Sequence, residues 1–215
     1  IKEKKTLLII SGGIEAKPGI LIAKQMGFYV VVCDGNKNAP GLLLADDRII
    51  SSTYNVKQTL EAAVKYNNNI RKINGVMSIA SDVPLTVASI AHELNLPSIP
   101  LNTAKLAIDK LAMKEKFLAE SIPIPWFIEV KSPQDLNIFI KEMKPPLIIK
   151  PIDSRGARGV QLIKSESVDN EVLFNNALKH SPSKRVMLER FLVGPQLSTE
   201  SLVINSVSYT IGFSD

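Results

Sequence analysis

Cysteine is nearly absent. Cys33 stands alone among 215 residues, so no disulfide framework can form and a reducing compartment is expected. The thiol closes the apolar run Tyr29-Val30-Val31-Val32, where it reads as a small buried hydrophobe. His92 and His180 are the two histidines of the chain. They lie far apart without ligand-spaced partners, which leaves a zinc site or a Ser-His-Asp triad unsupported and casts both as structural or surface residues. Aromatic residues make up 6% of the chain, and its 26 lysines and arginines are spread rather than massed. A net charge of +5 therefore does not indicate a nucleic-acid partner. No apolar stretch approaches the ~18 residues of a membrane span, and residues 7–10 are too short for a signal-peptide core. No membrane association is expected, and a cytoplasmic setting is. The pattern G-x-x-x-x-G-K-[ST] does not occur, which excludes a P-loop, and no H-R-D or D-F-G set supports a protein kinase.

What is present suits an ordinary globular protein. At 45% hydrophobic and 22% charged residues, the chain can bury the core of one large domain or two small ones. Its most informative stretch is residues 145–160, PPLIIKPIDSRGARGV. The apolar run Leu147-Ile148-Ile149 delivers Lys150, a polar turn follows with Gly156 and Gly159, and Val160-Gln161-Leu162-Ile163 begins a second apolar alternation. This pattern predicts strand, basic loop, strand. The glycines let the backbone turn and approach a ligand, Ser154 offers a hydroxyl, and Lys150, Arg155 and Arg158 concentrate positive charge. Such a loop suits a polyphosphate, and the alternative is an exposed hairpin whose Arg and Gly residues only serve the turn.

The first hundred residues alternate strands with helices. Strands are expected at 6–10, 28–33, 48–51 and 75–80, with helices at 19–26, 56–66 and 84–94, and Asn67-Asn68-Asn69 as a turn. This predicts a parallel α/β sheet covered on both faces. Ligands of such sheets bind beyond the carboxyl ends of the strands, where Ser11-Gly12-Gly13, Asp34 and Ser81-Asp82 would gather. Turn glycines and capping Asp or Ser residues are the alternative. A Rossmann unit opens in the same way, but the full G-x-G-x-x-G is missing. After Pro97 and Pro100 the texture changes, and a boundary is expected near residue 100. One long helix is predicted over 102–120, strands at 126–130, 185–191, 197–204 and 206–213, and helices at 133–143, capped by Ser132, and 168–178. The second half therefore reads as α+β with antiparallel hairpins.

The order of these pieces carries the functional argument. Asp109-Lys110 precedes Lys150 and its glycine loop, and Val186-Met187-Leu188-Glu189-Arg190-Phe191-Leu192 follows; Val32-Cys33-Asp34-Gly35-Asn36, Ala39-Pro40-Gly41 and Ala45-Asp46 come before them all. Together they resemble the ATP-grasp superfamily, most closely its carboxylate-amine ligases and the carbamoyl-phosphate-synthase-like branch. The resemblance implies a Rossmann-like, parallel-sheet pre-ATP-grasp domain over residues 1–100. An α+β ATP-grasp region would follow over 101–215, its first lobe about 110–185 and the start of its second about 186–215. It assigns Lys110 and Lys150 to the ATP phosphates, and Ser154, Arg155, Gly156, Arg158 and Gly159 to a mobile loop closing over them. Glu189 would lie near the nucleoside, and the backbone of Arg190 and Leu192 would read the adenine edge. Gln196 stands where many relatives carry an acidic ribose ligand, a departure from the pattern. Gly12, Gly13, Asp34 and Asp82 would help hold the substrate. Charge supports the phosphate assignment independently: two lysines and the loop N–H groups offset the roughly four negative charges of ATP and align its γ-phosphoryl group.

Relatives place magnesium ligands, a pair of acids and an asparagine, well after the hinge strand, and a late basic residue near the transferred group. Neither Glu200 nor Asp215 matches that signature, so no metal or catalytic residue is assigned. The chain starts at Ile1 and stops at Asp215 just past a strand-like run. The expectation is an N-terminal portion of a longer enzyme, truncated before the catalytic domain is complete, which binds nucleotide weakly and does not catalyse. The implied activity of the whole enzyme is ATP- and magnesium-dependent ligation of a small carboxylate, an amino acid among the candidates, to an amine or ammonia through an acyl phosphate; a homodimer is compatible with it. A non-catalytic nucleotide-sensing domain and, behind it, an NAD(P)-dependent oxidoreductase using Gly12 and Gly13 are the alternatives.

Overall fold

In the computed structural model, which describes residues 3–215, the chain forms two compact units dividing between Ser121 and Ile122. The first contains β1 (Thr6–Ile10), α1 (Lys17–Gln25), β2 (Tyr29–Asp34), β3 (Asp47–Ile50), α2 (Val56–Asn69), β4 (Gly75–Ser78), α3 (Pro84–Glu93), α4 (Leu101–Ile108) and α5 (Lys110–Ala119). Its sheet has the order β3-β2-β1-β4, with every pair parallel. Both faces are covered, which explains why β1 and β2 are apolar at nearly every position. Leu8, Ile10, Val31 and Cys33 face Ala63 and Tyr66 of α2 and Ile90 of α3. Ile9, Val30 and Val32 face Ile20 and Ala23 of α1 together with Leu42.

Two local expectations fail for identifiable reasons. Asn67-Asn68-Asn69 continues α2 rather than turning. The Asn67 side chain accepts the Ile73 N–H at 2.9 Å, so its polar group shapes the exit from the helix without breaking it. The long helix expected over 102–120 is two helices interrupted at Asp109. Asp109 adopts φ −118° and ψ 103°, and its carboxylate accepts the Ala112 N–H at 2.9 Å. The hydrophobic period runs across the break, while the capping power of aspartate decides it. As a result Lys110 opens the first turn of α5.

The second unit contains β5 (Phe127–Val130), α6 (Pro133–Met143), β6 (Leu147–Pro151), β7 (Gln161–Ile163), α7 (Asn170–Lys179), β8 (Val186–Arg190), β9 (Ser198–Ile204) and β10 (Val207–Ser214). The first four of its strands in space, β5-β8-β6-β7, form an antiparallel sheet. Leu147, Ile149, Ile163, Val186 and Leu188 point to one face and build a core with Leu136 and Ile140 of α6 and Phe174 and Ala177 of α7. Ser132 and Asp169 cap α6 and α7, accepting from Asp135 N and Val172 N at 3.0 Å each. β9 and β10 form a separate exposed hairpin with a bulge between Thr210 and Gly212.

Candidate functional site

Strand register builds the centre of the candidate site. Ile148 pairs with Glu189 and Lys150 with Met187 across β6 and β8, so Ile148, Lys150, Met187 and Glu189 share the face opposite the core. Lys150 and Glu189 are diagonal neighbours there, and the Lys150 ammonium donates to the Glu189 carboxylate. Glu189 is only 8% exposed. It is not the exposed strand residue its side-chain type would suggest, because the Lys150 ammonium offsets part of the hydration the carboxylate loses on burial.

The loop after β6 holds Ser154, Arg155, Gly156, Arg158 and Gly159. Gly156 and Gly159 have φ of +60° and +75°, the left-handed region that glycine enters without strain. The Arg158 Nε donates to Arg155 O at 3.0 Å, which folds the tip on itself. Arg190 ends β8 with both of its polar parts engaged. Its N–H donates to Trp126 O at 2.9 Å, while its guanidinium caps α6 through Lys144 O at 2.7 Å and Met143 O at 2.5 Å. Leu192 lies beyond the strand and is 66% exposed. Gln196 is exposed in the connection to β9.

In the first unit, β1 is flanked by β2 on one side and β4 on the other. The chain moves outward from β1 to β3 and then returns to the opposite side of β1, so the turn after β1 borders the switch point of the sheet. Gly12 and Asp34 meet there: the Gly12 N–H donates to Asp34 Oδ2 at 2.7 Å, and Asp34 Oδ1 accepts from Asn36 N at 2.8 Å. Gly41 N donates to Gly12 O at 2.7 Å. A Cβ on Gly41 would lie 2.8 Å from Gly12 Cα, so the two backbones touch. Gly13 precedes a short 3₁₀ turn, and its carbonyl accepts from Ala16 N at 3.2 Å. Asp82 is exposed in the connection from β4 to α3 and makes no helix cap there. Cys33 is fully buried beside Asp34, and burial first, then the neighbouring carboxylate, push its thiol up to about 12, which removes it from thiolate chemistry.

No protein-family model matches the chain. A formate-dependent phosphoribosylglycinamide formyltransferase of Prochlorococcus marinus (strain NATL2A) is 27% identical over 193 residues, covering 87% of this chain and 48% of that protein. A D-alanine--D-alanine ligase of Synechococcus sp. (strain JA-3-3Ab) is 36% identical over 121 residues, 54% of this chain and 36% of the ligase. Among solved structures, N5-carboxyaminoimidazole synthetase from Staphylococcus aureus complexed with ADP superposes with a TM-score of 0.74 over 99% of this chain and 55% of that one, at 21% identity. This is the ATP-grasp fold. The chain spans about half the length of the relatives it matches.

Sequence reasoning left out several residues of this fold. Asp153 and Ser181 carry side-chain bonds at the root of the glycine loop, and no spacing rule links positions 28 apart. His180, expected to be structural or on the surface, packs under Gly159. On α5, Lys114 is only 9% exposed. Its separation of four residues from Lys110, one helical turn, is the signal that could have singled it out, since lysine is rarely buried unpaired.

Proposed function

We propose that the chain is the nucleotide-holding part of an ATP-dependent ligase that joins a small carboxylate to an amine or ammonia. The observation that carries this reading is Lys150, fixed by Glu189 on the sheet face opposite the core and followed at once by the glycine loop. A cation already held in place loses little rotamer freedom when a phosphate arrives, and loop N–H groups add donors that need no reorganisation. We set the functional division near residue 100 and assign Lys110, like Lys150, to the ATP phosphates. Glu189 and the chain after β8 take the nucleoside, with Leu192 offering backbone for the adenine edge and Gln196 near the ribose. The Arg190 N–H is committed to Trp126 and leaves only its carbonyl for that role. Gly12, Gly13, Asp34 and Asp82 border the substrate.

In the reaction, a carboxylate oxygen attacks the γ-phosphorus, the bond to the ADP oxygen breaks, and an acyl phosphate forms. The amine nitrogen then attacks the acyl carbon, phosphate leaves with the electron pair, and the nitrogen loses a proton. Loop residues 154–159 keep water from the acyl phosphate. Among the described residues no group of three His, Cys, Asp or Glu side chains could hold a metal ion. We assign magnesium to no residue of this chain and expect the full-length enzyme to use it with ATP. No helix among the described residues is long and apolar enough to cross a membrane, and we place the enzyme in the cytoplasm. The name of the D-alanine--D-alanine ligase relative favours an amino acid as the carboxylate.

The test is to incubate full-length protein with ATP, magnesium and a panel of amino acids and other carboxylates, following ADP and trapping acyl phosphate with hydroxylamine. ADP formation that depends on one carboxylate, with a trapped hydroxamate, is expected. ATP binding without ADP formation under any substrate would replace this reading with a nucleotide sensor.

A further inference from the structure

Beyond Lys150 and Glu189, the second unit carries a bonded cluster at the root of the glycine loop that the proposed chemistry does not use. Asp153, just past β6, accepts from Ser181 Oγ at 2.6 Å and from Ser183 N at 2.8 Å. Ser181 is buried, and its Oγ accepts in turn from Arg185 N at 3.0 Å. Ile152 N donates to Arg185 O at 3.2 Å. One end of the loop is thereby sewn to the turn between α7 and β8, with a carboxylate making the stronger bonds.

The other end is held by contact. With Gly159 at φ +75°, a Cβ there would stand 2.9 Å from both His180 Cβ and Pro151 Cγ. Only glycine lets the chain press against His180, whose ring is itself fixed by Nδ1 to Asn176 O at 2.8 Å. Both ends of the loop therefore rest on the same turn. Between them the chain is open: Gly156, Ala157 and Arg158 are exposed, and a Cβ on Gly156 would meet nothing within 4 Å. A cavity of about 170 Å³ lined by Asp153, Ser154, Arg155, Arg158, His180 and Pro182 separates the loop from the turn.

We propose that Asp153 and Gly159 are positioning residues that pin both ends of the loop to the α7–β8 turn, so that residues 154–158 swing as one short lid carrying Arg155 and Arg158. Fixing the ends of a five-residue segment limits the conformations it explores when open and makes closure a hinge motion. The purpose of the lid rests on the nucleotide reading above, whereas the pinning does not.

The experiment is limited trypsin digestion of full-length protein, mapping cleavage after Arg155 and Arg158 by mass spectrometry with and without a non-hydrolysable ATP analogue. Asp153→Ala removes both carboxylate bonds and Gly159→Ala forces the chain off His180. Without nucleotide, each is expected to speed cleavage at the two arginines about tenfold while other sites keep their wild-type rates. Asp153→Asn keeps one acceptor and gives a smaller rise, which serves if Gly159→Ala does not fold. In turnover, the Asp153 variants lower kcat more than they raise KM for ATP, since the loosened lid closes less often on bound substrate. Wild-type cleavage rates in the variants, or faster cleavage throughout the second unit, overturn the proposal. Faster cleavage in the variants with no protection of the wild type by the analogue keeps the pinning and removes the nucleotide reading. Protection by the analogue with no acceleration in the variants does the reverse.

Discussion

The two units bury their sheets differently, and the difference decides where each can place polar chemistry. In the parallel sheet, β1 and β2 have helices or covering turns on both faces, so polar groups are confined to the strand ends, as with Gly12 and Asp34. In the antiparallel sheet, α6 and α7 cover one face and the strands alternate. The other face carries the largely buried ion pair of Lys150 and Glu189. One architecture puts its candidate site at the strand ends, the other on one face of the sheet.

Substitutions along one strand of each kind would break that contrast. Leu8→Ala and Ile9→Ala, on opposite faces of β1 and both fully buried, should each cost about 2–5 kcal/mol in urea unfolding. In β6 the outcome should alternate, with Ile149→Ala in that range and the half-buried Ile148→Ala costing roughly 1 kcal/mol. Equal losses at 148 and 149 would remove the distinction. Next in size, Lys150→Ala should weaken nucleotide binding by calorimetry roughly 10- to 150-fold, the equivalent of the ~1.5–3 kcal/mol of a charge-assisted bond, and abolish ADP formation. Unchanged turnover would leave the Lys150 face without its role.

The smallest effect concerns the edge of the first unit. Asp46 accepts from Val30 N at 2.8 Å and pairs with Lys24 at 2.8 Å. Burial opposes ionisation, but Lys24 and the Val30 N–H outweigh it and hold the carboxyl below its ordinary 3.8. A depressed folded-state pKa contributes stability above the unfolded value, and that contribution is lost as pH falls through the folded one. Asp46→Asn should therefore cost up to about 1 kcal/mol near neutral pH, with the gap to wild type closing below the ordinary carboxylate range. A gap that persists in acid would assign the cost to packing instead.

Much of the layout was legible in advance because burial on two faces and on one face leave different periods. Continuous apolar runs marked β1, β2 and β6, and alternation from Val160 marked β7. The helix break at Asp109 was hidden because a cap is a local hydrogen bond and leaves the apolar period intact. Lys150 and Glu189 were each legible as residues of interest, but not their pairing, which depends on β8 lying beside β6 rather than beside β7. Asp153, Ser181, His180 and Gly159 were harder still, since a turn brings them together from distant positions.

By itself, the sequence determined the alternation of strands and helices in the first unit and the basic glycine loop between two strands, because these depend on local residue types and their period. Only the tertiary structure decided that Glu189 is buried against Lys150, that Arg190 spends its guanidinium on the end of α6, and that both ends of the glycine loop rest on one turn. Those outcomes depend on which strands become neighbours, and neighbours are chosen by packing, not by position along the chain.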